Sequence, residues 1–390
     1  MTSLAARWQF SILDTSGVEQ AVFDNYQSVN VSRTVNDIDT LKIVFYDDLD
    51  SRFSYFLTDY IIIGIRSVPG LINKYNEFVG LIRSVDYSLN SDGTRIIEVT
   101  AFGLNQILAR RIIAYDAGTI RAEKNAFAET AMKEYVAENC GPNAGLGGVV
   151  GRLADGNIPG FYVEEDNGEG ITWSGSREYD NLLDVLQDIA EFAHMDFNVE
   201  YLGSANFVFR TYSDYGYGIN RTDEGVAGSG DNISNIYGNV PLIFSAELGN
   251  VSKISRGFDR TSEANVVIVL GQGDISTRKS VTVEDTNTTD DSPFNRMEIS
   301  RSGSSNEYEY QLEAFGWEEL EKNHYNEGFQ FTPMRQETCM YGLHFCLGDR
   351  VVVVDRDVKA YVRINSVNIS VSGNEESISI GVDKGVIVNG

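Results

Sequence analysis

Over residues 27–35 the chain alternates: Val29, Val31 and Val35 fall on one side, Ser28, Asn30, Ser32 and Thr34 on the other, and Arg33 is the one breach of the apolar side. A period of two belongs to a strand with one face buried and excludes a helix, whose faces repeat every 3.6 residues. The same alternation recurs over 7–13, 40–45, 60–66, 76–89 and 94–102. Asn90-Ser91-Asp92-Gly93 is a turn sequence between two such runs, so 78–89 and 94–102 are expected to form a hairpin. Short strands joined by tight turns predict a barrel or a sandwich. The 20 Tyr and 20 Phe fit that reading, because aromatic side chains suit a pleated, half-buried surface.

Beyond residue 105 the period changes. Residues 124–139 place Phe127, Ala131 and Tyr135 at i, i+4 and i+8, beside Ala128, Met132 and Val136; this predicts a helix that Cys140-Gly141-Pro142 stops. Residues 143–157 are glycine-rich and irregular. Asp180 stands where it would cap a second helix over 181–193, whose Leu182, Leu183, Leu186, Ile189, Ala190 and Ala193 make one buried side. Runs at 196–201 and 206–210 flank Leu202-Gly203-Ser204-Ala205 as another hairpin. Residues 214–239, poor in apolar side chains, read as a long loop or partner-facing arm.

Strands restart at 242–245, 251–254 and 265–270, and 286–293 is an exposed polar loop. A last helix is expected over 306–323 from the spacing of Tyr310, Ala314, Trp317 and Leu320, followed by strands at 350–355, 359–371 and 377–382. With 390 residues the chain is too long for one ordinary core. The expected fold class is therefore mainly β with an α+β insertion: a β-barrel over 1–105, an α+β region over 106–244, and a second, similar β-barrel that includes one helix over 245–390.

Charge and motifs exclude more than they assign. Lys+Arg number 31 and Asp+Glu 57, a net charge of −26, which opposes unspecific binding to a phosphate backbone. The densest apolar run, 60–65, is broken by Arg66 and falls well short of a membrane span of roughly 20 residues. Met1 to Trp8 lacks the basic region and apolar core of a signal peptide, so synthesis in a cytoplasm is expected. Cys140, Cys339 and Cys346 are too few and scattered for a disulfide framework.

Residues 339–346 combine two Cys with His344, but the spacing fits no common zinc pair and the alternation reads as a strand. Glu164-Glu165-Asp166-Asn167-Gly168-Glu169-Gly170 offers oxygens without the ligand order of a calcium loop. Gly271-Gln272-Gly273 has no third glycine at dinucleotide spacing, and no Gly-Lys-Ser/Thr phosphate loop occurs. His194, His324 and His344 accompany no Ser or Cys nucleophile signature. The acidic groups Asp47-Asp48 with Asp50, Glu164-Glu165-Asp166, Asp290-Asp291, and Glu318-Glu319 with Glu321 read as solvated loop and helix faces, since glycoside cleavage needs carboxylates that converge in space. No catalytic, cofactor-binding or metal-ligating residue is expected, and no enzyme.

The order of elements resembles the central hub proteins of phage tail tips, the baseplate hub or tail-associated hub family. The resemblance is carried by Arg7-Trp8-Gln9-Phe10 at the first barrel, the exit Gly103-Leu104-Asn105-Gln106-Ile107-Leu108-Ala109-Arg110-Arg111 with Ile112, Ile113 and Tyr115, and the helix at 124–139. It continues through Asn181-Leu182-Leu183-Asp184-Val185-Leu186-Gln187-Asp188-Ile189-Ala190, the hairpin ending in Phe207-Val208-Phe209-Arg210, and Gly348-Asp349-Arg350-Val351 in the second barrel.

It implies a homotrimer in which two barrels per subunit make a pseudo-sixfold ring, joining the hexameric tail tube and distal tail ring to a threefold tip. Implied partners are the distal tail protein, tail tube protein, tape measure protein and tail fibre or spike proteins, with the genome DNA passing through unspecifically and no membrane insertion by this chain. Location at the virion tail tip, no cofactor, and wall hydrolysis on another protein follow as expectations. An acidic lumen that repels DNA is a further expectation from the charge. A non-viral contractile injection hub, and less so an extracellular glycan-binding or glycan-cleaving β protein, are the alternatives.

Overall fold

The computed structural model describes residues 6–388 apart from 47–51, 69–74, 90, 92, 115–120, 142–143, 145–155, 226–233, 274–276, 291, 293, 304–307, 325, 335, 337–338, 357, 374 and 385. Asp47, Asp48, Asp50, Asn90, Asp92, Tyr115, Pro142, Asp291 and most of 143–157 lie outside the described residues.

The alternating N-terminal segments are strands β1 (Arg7–Leu13), β2 (Glu19–Phe23), β3 (Ser28–Thr34), β4 (Thr40–Tyr46), β5 (Ile61–Ser67), β6 (Tyr75–Leu89) and β7 (Arg95–Gly103). Then come α1 (Gln106–Ala109), β8 (Ala122–Phe127), α2 (Ala128–Asn139), β9 (Phe161–Val163), β10 (Thr172–Arg177), α3 (Leu182–Ala193), β11 (Asp196–Gly203) and β12 (Asn206–Tyr212). The rest is β13 (Ile243–Ser245), β14 (Val251–Asp259), β15 (Val266–Leu270), β16 (Ser280–Glu284), α4 (Thr286–Thr289), β17 (Glu298–Ser302), α5 (Glu309–Lys322), β18 (Asn326–Pro333), β19 (Arg350–Asp355), β20 (Val358–Ser372), β21 (Glu375–Lys384) and β22 (Val386–Val388).

The chain is mainly β, as the alternation predicts, but its sheets do not close into two barrels. One 14-stranded sheet follows the path β14-β18-β21-β20-β3-β4-β7-β6-β5-β1-β2, with β19 and β22 on β20 and β13 on β19. Among the described residues no ladder joins the ends of that path.

Two 15-residue strands explain the shape. β6 pairs with β5 through residues 75–81 and with β7 through 80–89, with an irregularity between Ile82 and Ser84. β20 pairs with β19 through 358–363 and with β21 and β3 beyond, with its irregularity between Ile364 and Ser366. Bulges bend a strand and raise its twist, so each long strand turns a corner from one layer to another.

The decisive join is the ladder between β3 and β20, seven antiparallel pairs from Ser28↔Ser372 to Thr34↔Ser366. It places Val29, Val31, Val367, Ile369 and Val371 on one buried face, in a core shared with Trp8, Phe10, Phe45, Phe244 and Phe345. A second core, of α2, α3 and β11–β12, also takes Leu13, Ile61, Leu81 and Leu104 from the N-terminal strands. A small third core lies under α5 and β15–β17.

Several local expectations change. Residues 122–127 form a strand paired with β10, not the first turns of a helix, and Phe127 is 49% exposed while Ala131, Met132, Tyr135 and Val136 are buried. The cross-strand partner outweighs the local helical spacing. Asn181, not Asp180, caps α3: its side chain accepts from Leu183 N at 2.9 Å, and Asp180 accepts from Glu178 N instead.

On α5 the buried side is Leu312, Gly316, Glu319 and Leu320, leaving Tyr310 and Trp317 half exposed. Gly316 sets that rotation, since a Cβ there would stand 2.5 Å from Val283 Cγ2. Residues 339–346 run as turns with isolated bridges, so Cys339, His344 and Cys346 are not on a strand. Within the stretch expected as a long loop or partner-facing arm, residues 219–223 run along β19 and β20, with Ile219 N donating to Asp349 at 2.7 Å and Arg221 N to Arg350 O at 2.7 Å.

Because Ile369 is 1% exposed in the shared core, Ile369→Ala is expected to destabilise the chain by about 2–4 kcal/mol. One core across both ends of the chain predicts that the main calorimetric transition shifts as a unit. A shift confined to a separate C-terminal transition would contradict it.

Candidate functional site

The strands β14, β18, β21, β20, β3, β4, β7 and β6 form a continuous antiparallel run with two chemically opposite faces. The inward face is the apolar core. The outward face is small and hydroxylated: Asn30 stands between Ser370 and Lys42, Ser32 opposes Asn368, Ser370 opposes Ser377, and Asn368 opposes Ser379. Thr100 opposes Ser84 on the N-terminal side, and Lys253 opposes Thr332 on the C-terminal side.

A hydrogen bond from Ser370 Oγ to Asn30 ties β20 to β3 across the face, and Ser84 Oγ donates to Asp86 along β6 at 3.2 Å. Its charges are few. Lys42 pairs with Glu98 at 2.7 Å, while exposed Asp86 and Lys253 stand on the two outermost strands. Exposed Glu375, two positions before Ser377, and exposed Asp259, six after Lys253, share the face, which is therefore sparsely charged with a small acidic excess.

Behind that face three buried ionic junctions lock the segments together. Arg33, the breach in the alternation, bonds Asp39 at 3.1 Å and Glu77 at 3.0 Å, and Tyr341 Oη donates to Glu77 at 2.8 Å. Arg66, which interrupts the densest apolar run, is 1% exposed. Its Nε and Nη2 bind Glu376 at 2.8 and 2.9 Å, and Nη1 donates to Tyr341 O at 3.1 Å. A buried guanidinium persists only when its donors are matched this way.

At the second junction Asp196 accepts from Arg363, from Asn36 Nδ2 at 3.2 Å and from Tyr217 N at 3.2 Å. At the third, Glu318 accepts from Trp173 Nε1 and from Arg177 Nη2 at 3.0 Å, so this acidic-cluster residue is a buried docking group for α5.

The other sequence candidates do not converge. Cys339 is buried, which pushes its thiol up to about 11, Cys346 is exposed, and His344 Nδ1 accepts from Met340 N at 3.0 Å. In the loop 164–170, Lys133 Nζ takes the place a cation would want, donating to Glu165 O at 2.6 Å and to Glu129, whose Oε2 also accepts from Asn167 N and Glu169 N. Glu319 pairs with Arg301 at 2.8 Å. Among the described residues no group of three or more His, Cys, Asp or Glu is placed to hold a metal, and no helix is long and apolar enough to cross a membrane.

The hydroxyl face was present in the sequence as the polar half of each alternation. What the sequence lacked was the β3–β20 ladder that makes the two halves one surface.

Burial raises the Asp383 carboxyl from 3.8 to about 6, while its Oδ1 accepts from Arg363 N at 2.9 Å. The folded chain therefore holds this proton more tightly than the unfolded one. That stabilisation is complete below pH 3.8 and lost as pH rises through about 6. Asp383→Asn keeps the acceptor without the charge. It is expected to exceed the parent by about 2 kcal/mol at pH 8 and to lose that advantage by pH 4, read from urea midpoints; equal midpoints at both pH values would refute it.

A family model described as Siphovirus ReqiPepy6 Gp37-like protein matches residues 9–382. No curated protein matches the chain. Among solved structures, the chain is similar to the 43 kDa tail protein of prophage MuSo2 from Shewanella oneidensis, with TM-score 0.56, 11% identity, and coverage of 97% of this chain and 98% of that one. It is similar to the tail protein from Neisseria meningitidis MC58 with TM-score 0.54, 11% identity and coverage of 97% and 96%. A chain of the lidded Francisella PdpA-VgrG complex gives TM-score 0.52 at 10% identity, covering 98% of this chain and 53% of that one. At such identities the likeness is one of fold.

Proposed function

The chain belongs to the Siphovirus ReqiPepy6 Gp37-like family, and on that premise we propose that it is a structural protein of the phage tail, the trimeric central hub of the tail tip. The observation that carries this reading is the β3–β20 ladder. It fuses an N-terminal and a C-terminal curved sheet into one eight-strand wall with a bare hydroxyl face. Each half then acts as one tube-type unit, and three copies supply six, matching the symmetry of a hexameric tube and distal tail ring.

In this reading the hydroxyl face lines the channel. Serine, threonine and asparagine side chains present hydration without charge, and of the two lysines on the face Lys42 is paired with Glu98, so a passing phosphate backbone finds no cluster of cations to bind. Repulsion by an acidic wall is not needed. In the same reading the α+β elements that pack on Leu13, Ile61 and Leu81, together with the α5 unit, face the distal tail, tape measure and fibre or spike proteins. The chain does no chemistry, and assembly takes place in the host cytoplasm.

The Francisella likeness favours a second reading, the hub of a non-viral injection machine with the same ring. Light scattering of the purified chain tests the shared core of both readings. A species of three times 43.2 kDa that shows open rings in negative stain is the expected result. A compact monomer at every concentration overturns it.

A further inference from the structure

Between the segment 213–224 and strands β19, β20 and β21 lies a cavity of about 320 Å³, with Tyr215, Glu224, Arg350, Tyr361, Arg363 and Asp383 on its walls. We infer that this cavity binds a primary ammonium group, the end of a lysine side chain or of a free diamine. The site is independent of the hub reading.

The first support is a set of oxygens without partners. Among the described residues the Asp383 carboxyl has one hydrogen bond, from Arg363 N to its Oδ1 at 2.9 Å, which leaves Oδ2 open. The carboxylate of Glu224, exposed at the rim, and the Tyr215 hydroxyl have none among those residues. Burial holds Asp383 up at about 6, so at neutral pH the fold carries an ionised carboxylate that it does not compensate. Such groups in clefts cluster at functional sites.

The second support is charge. Both guanidinium groups on the walls already hold a carboxylate: Arg363 Nη2 donates to Asp196, and Arg350 Nη2 to Asp214 O at 2.8 Å and Oδ1 at 3.2 Å. Arg363 Nε has no partner but is sealed from solvent. The uncompensated groups are therefore acidic, which opposes an anion and favours a cation.

The acceptors also choose among cations. A guanidinium fork needs both oxygens of one carboxylate, and Asp383 has one left. A metal ion needs several converging ligands, and among the described residues no group of three His, Cys, Asp or Glu is so placed. An ammonium is a compact charge with three donors, one each for Asp383, Glu224 and Tyr215.

The third support is strain. Asp214 and Tyr215 have φ of 50° and 53°, a left-handed backbone that a bulky side chain rarely adopts. Tyr215 N donates to His194 O at 2.9 Å, and the Arg363 and Arg350 guanidinium carbons stand 4.7 and 5.8 Å from its ring centroid. Strain of this kind is kept at ligand clamps, where the surroundings over-determine it. Here it fixes Tyr215 as a rigid wall before a ligand arrives.

Calorimetric titration of the full chain at pH 8 with Nα-acetyl-lysine amide tests the site, in about 0.15 M salt to screen the overall charge. Saturable binding to a single site is expected, and Nα-acetyl-norleucine amide, which lacks the ammonium, should give none. Asp383→Asn is expected to weaken binding about tenfold, and Glu224→Gln and Tyr215→Phe to weaken it less. Asp290→Asn, which neutralises an exposed acid at the end of α4, should leave it unchanged. Melting temperatures confirm that each variant folds.

Arg350, Arg363, Asp196, Tyr215 and Glu224 are the other charged and titratable groups around Asp383. A proton competes with the ammonium for Asp383, so affinity is expected to fall about tenfold from pH 8 to pH 5. Cadaverine distinguishes the sources. If it gains over the lysine derivative only the statistical factor of its two ends, the ligand is a lysine side chain; a much tighter grip identifies a free diamine. No saturation by either compound, or binding that Asp383→Asn and Asp290→Asn change alike, overturns the site.

Discussion

The antiparallel ladder between Ser28–Thr34 and Ser366–Ser372 is the contact on which the other features depend. It joins segments more than three hundred residues apart in sequence. Chain entropy opposes such a closure, though only logarithmically: each doubling of a loop adds roughly 0.6 kcal/mol. Seven backbone pairs, with valines and isoleucines interdigitated on one face, more than offset that cost. Without this ladder the two curved sheets would be separate bodies, the core would divide, and no continuous polar wall would exist.

The buried charges serve the same end. Arg33 and Arg66 stand where a reader of the sequence sees interruptions of apolar patterns, yet each sits at a meeting of segments: N-terminal strands with Glu376 and Tyr341 from the C-terminal part. Replacing such pairs by apolar groups is often neutral or stabilising, so their presence is weak evidence of stability as such. Their value lies in orientation. A guanidinium held in a bidentate contact accepts one placement of its partner strand, whereas an apolar contact tolerates sliding. Arg363 with Asp196, and Arg177 with Glu318, fix the α+β segment and α5 in the same way.

How much was legible is seen from particular residues. The polar and apolar sides of Ser28–Thr34 were readable because sterics make side chains alternate in any strand. The hairpin of β6 with β7 and the helix of α3 were readable for the same reason, each being a local pattern with local punctuation. The start of α2 was misread because residues 122–127 satisfy a helical spacing that their partner β10 overrides. The stretch 339–346 was misread as a strand because Tyr341 and Phe345 are apolar for the sake of the shared core, not of a sheet.

The sequence by itself therefore determined that this chain is mainly β and where many of its short alternating strands lie. These follow from side-chain periodicity and composition, which act over a few residues. The tertiary structure alone decided that the two sets of strands share one sheet and one core, and that the hydroxyl residues of both make a single face. Strand partners are chosen by backbone hydrogen bonds that every residue but proline can make, and such bonds leave no mark in the sequence of either strand.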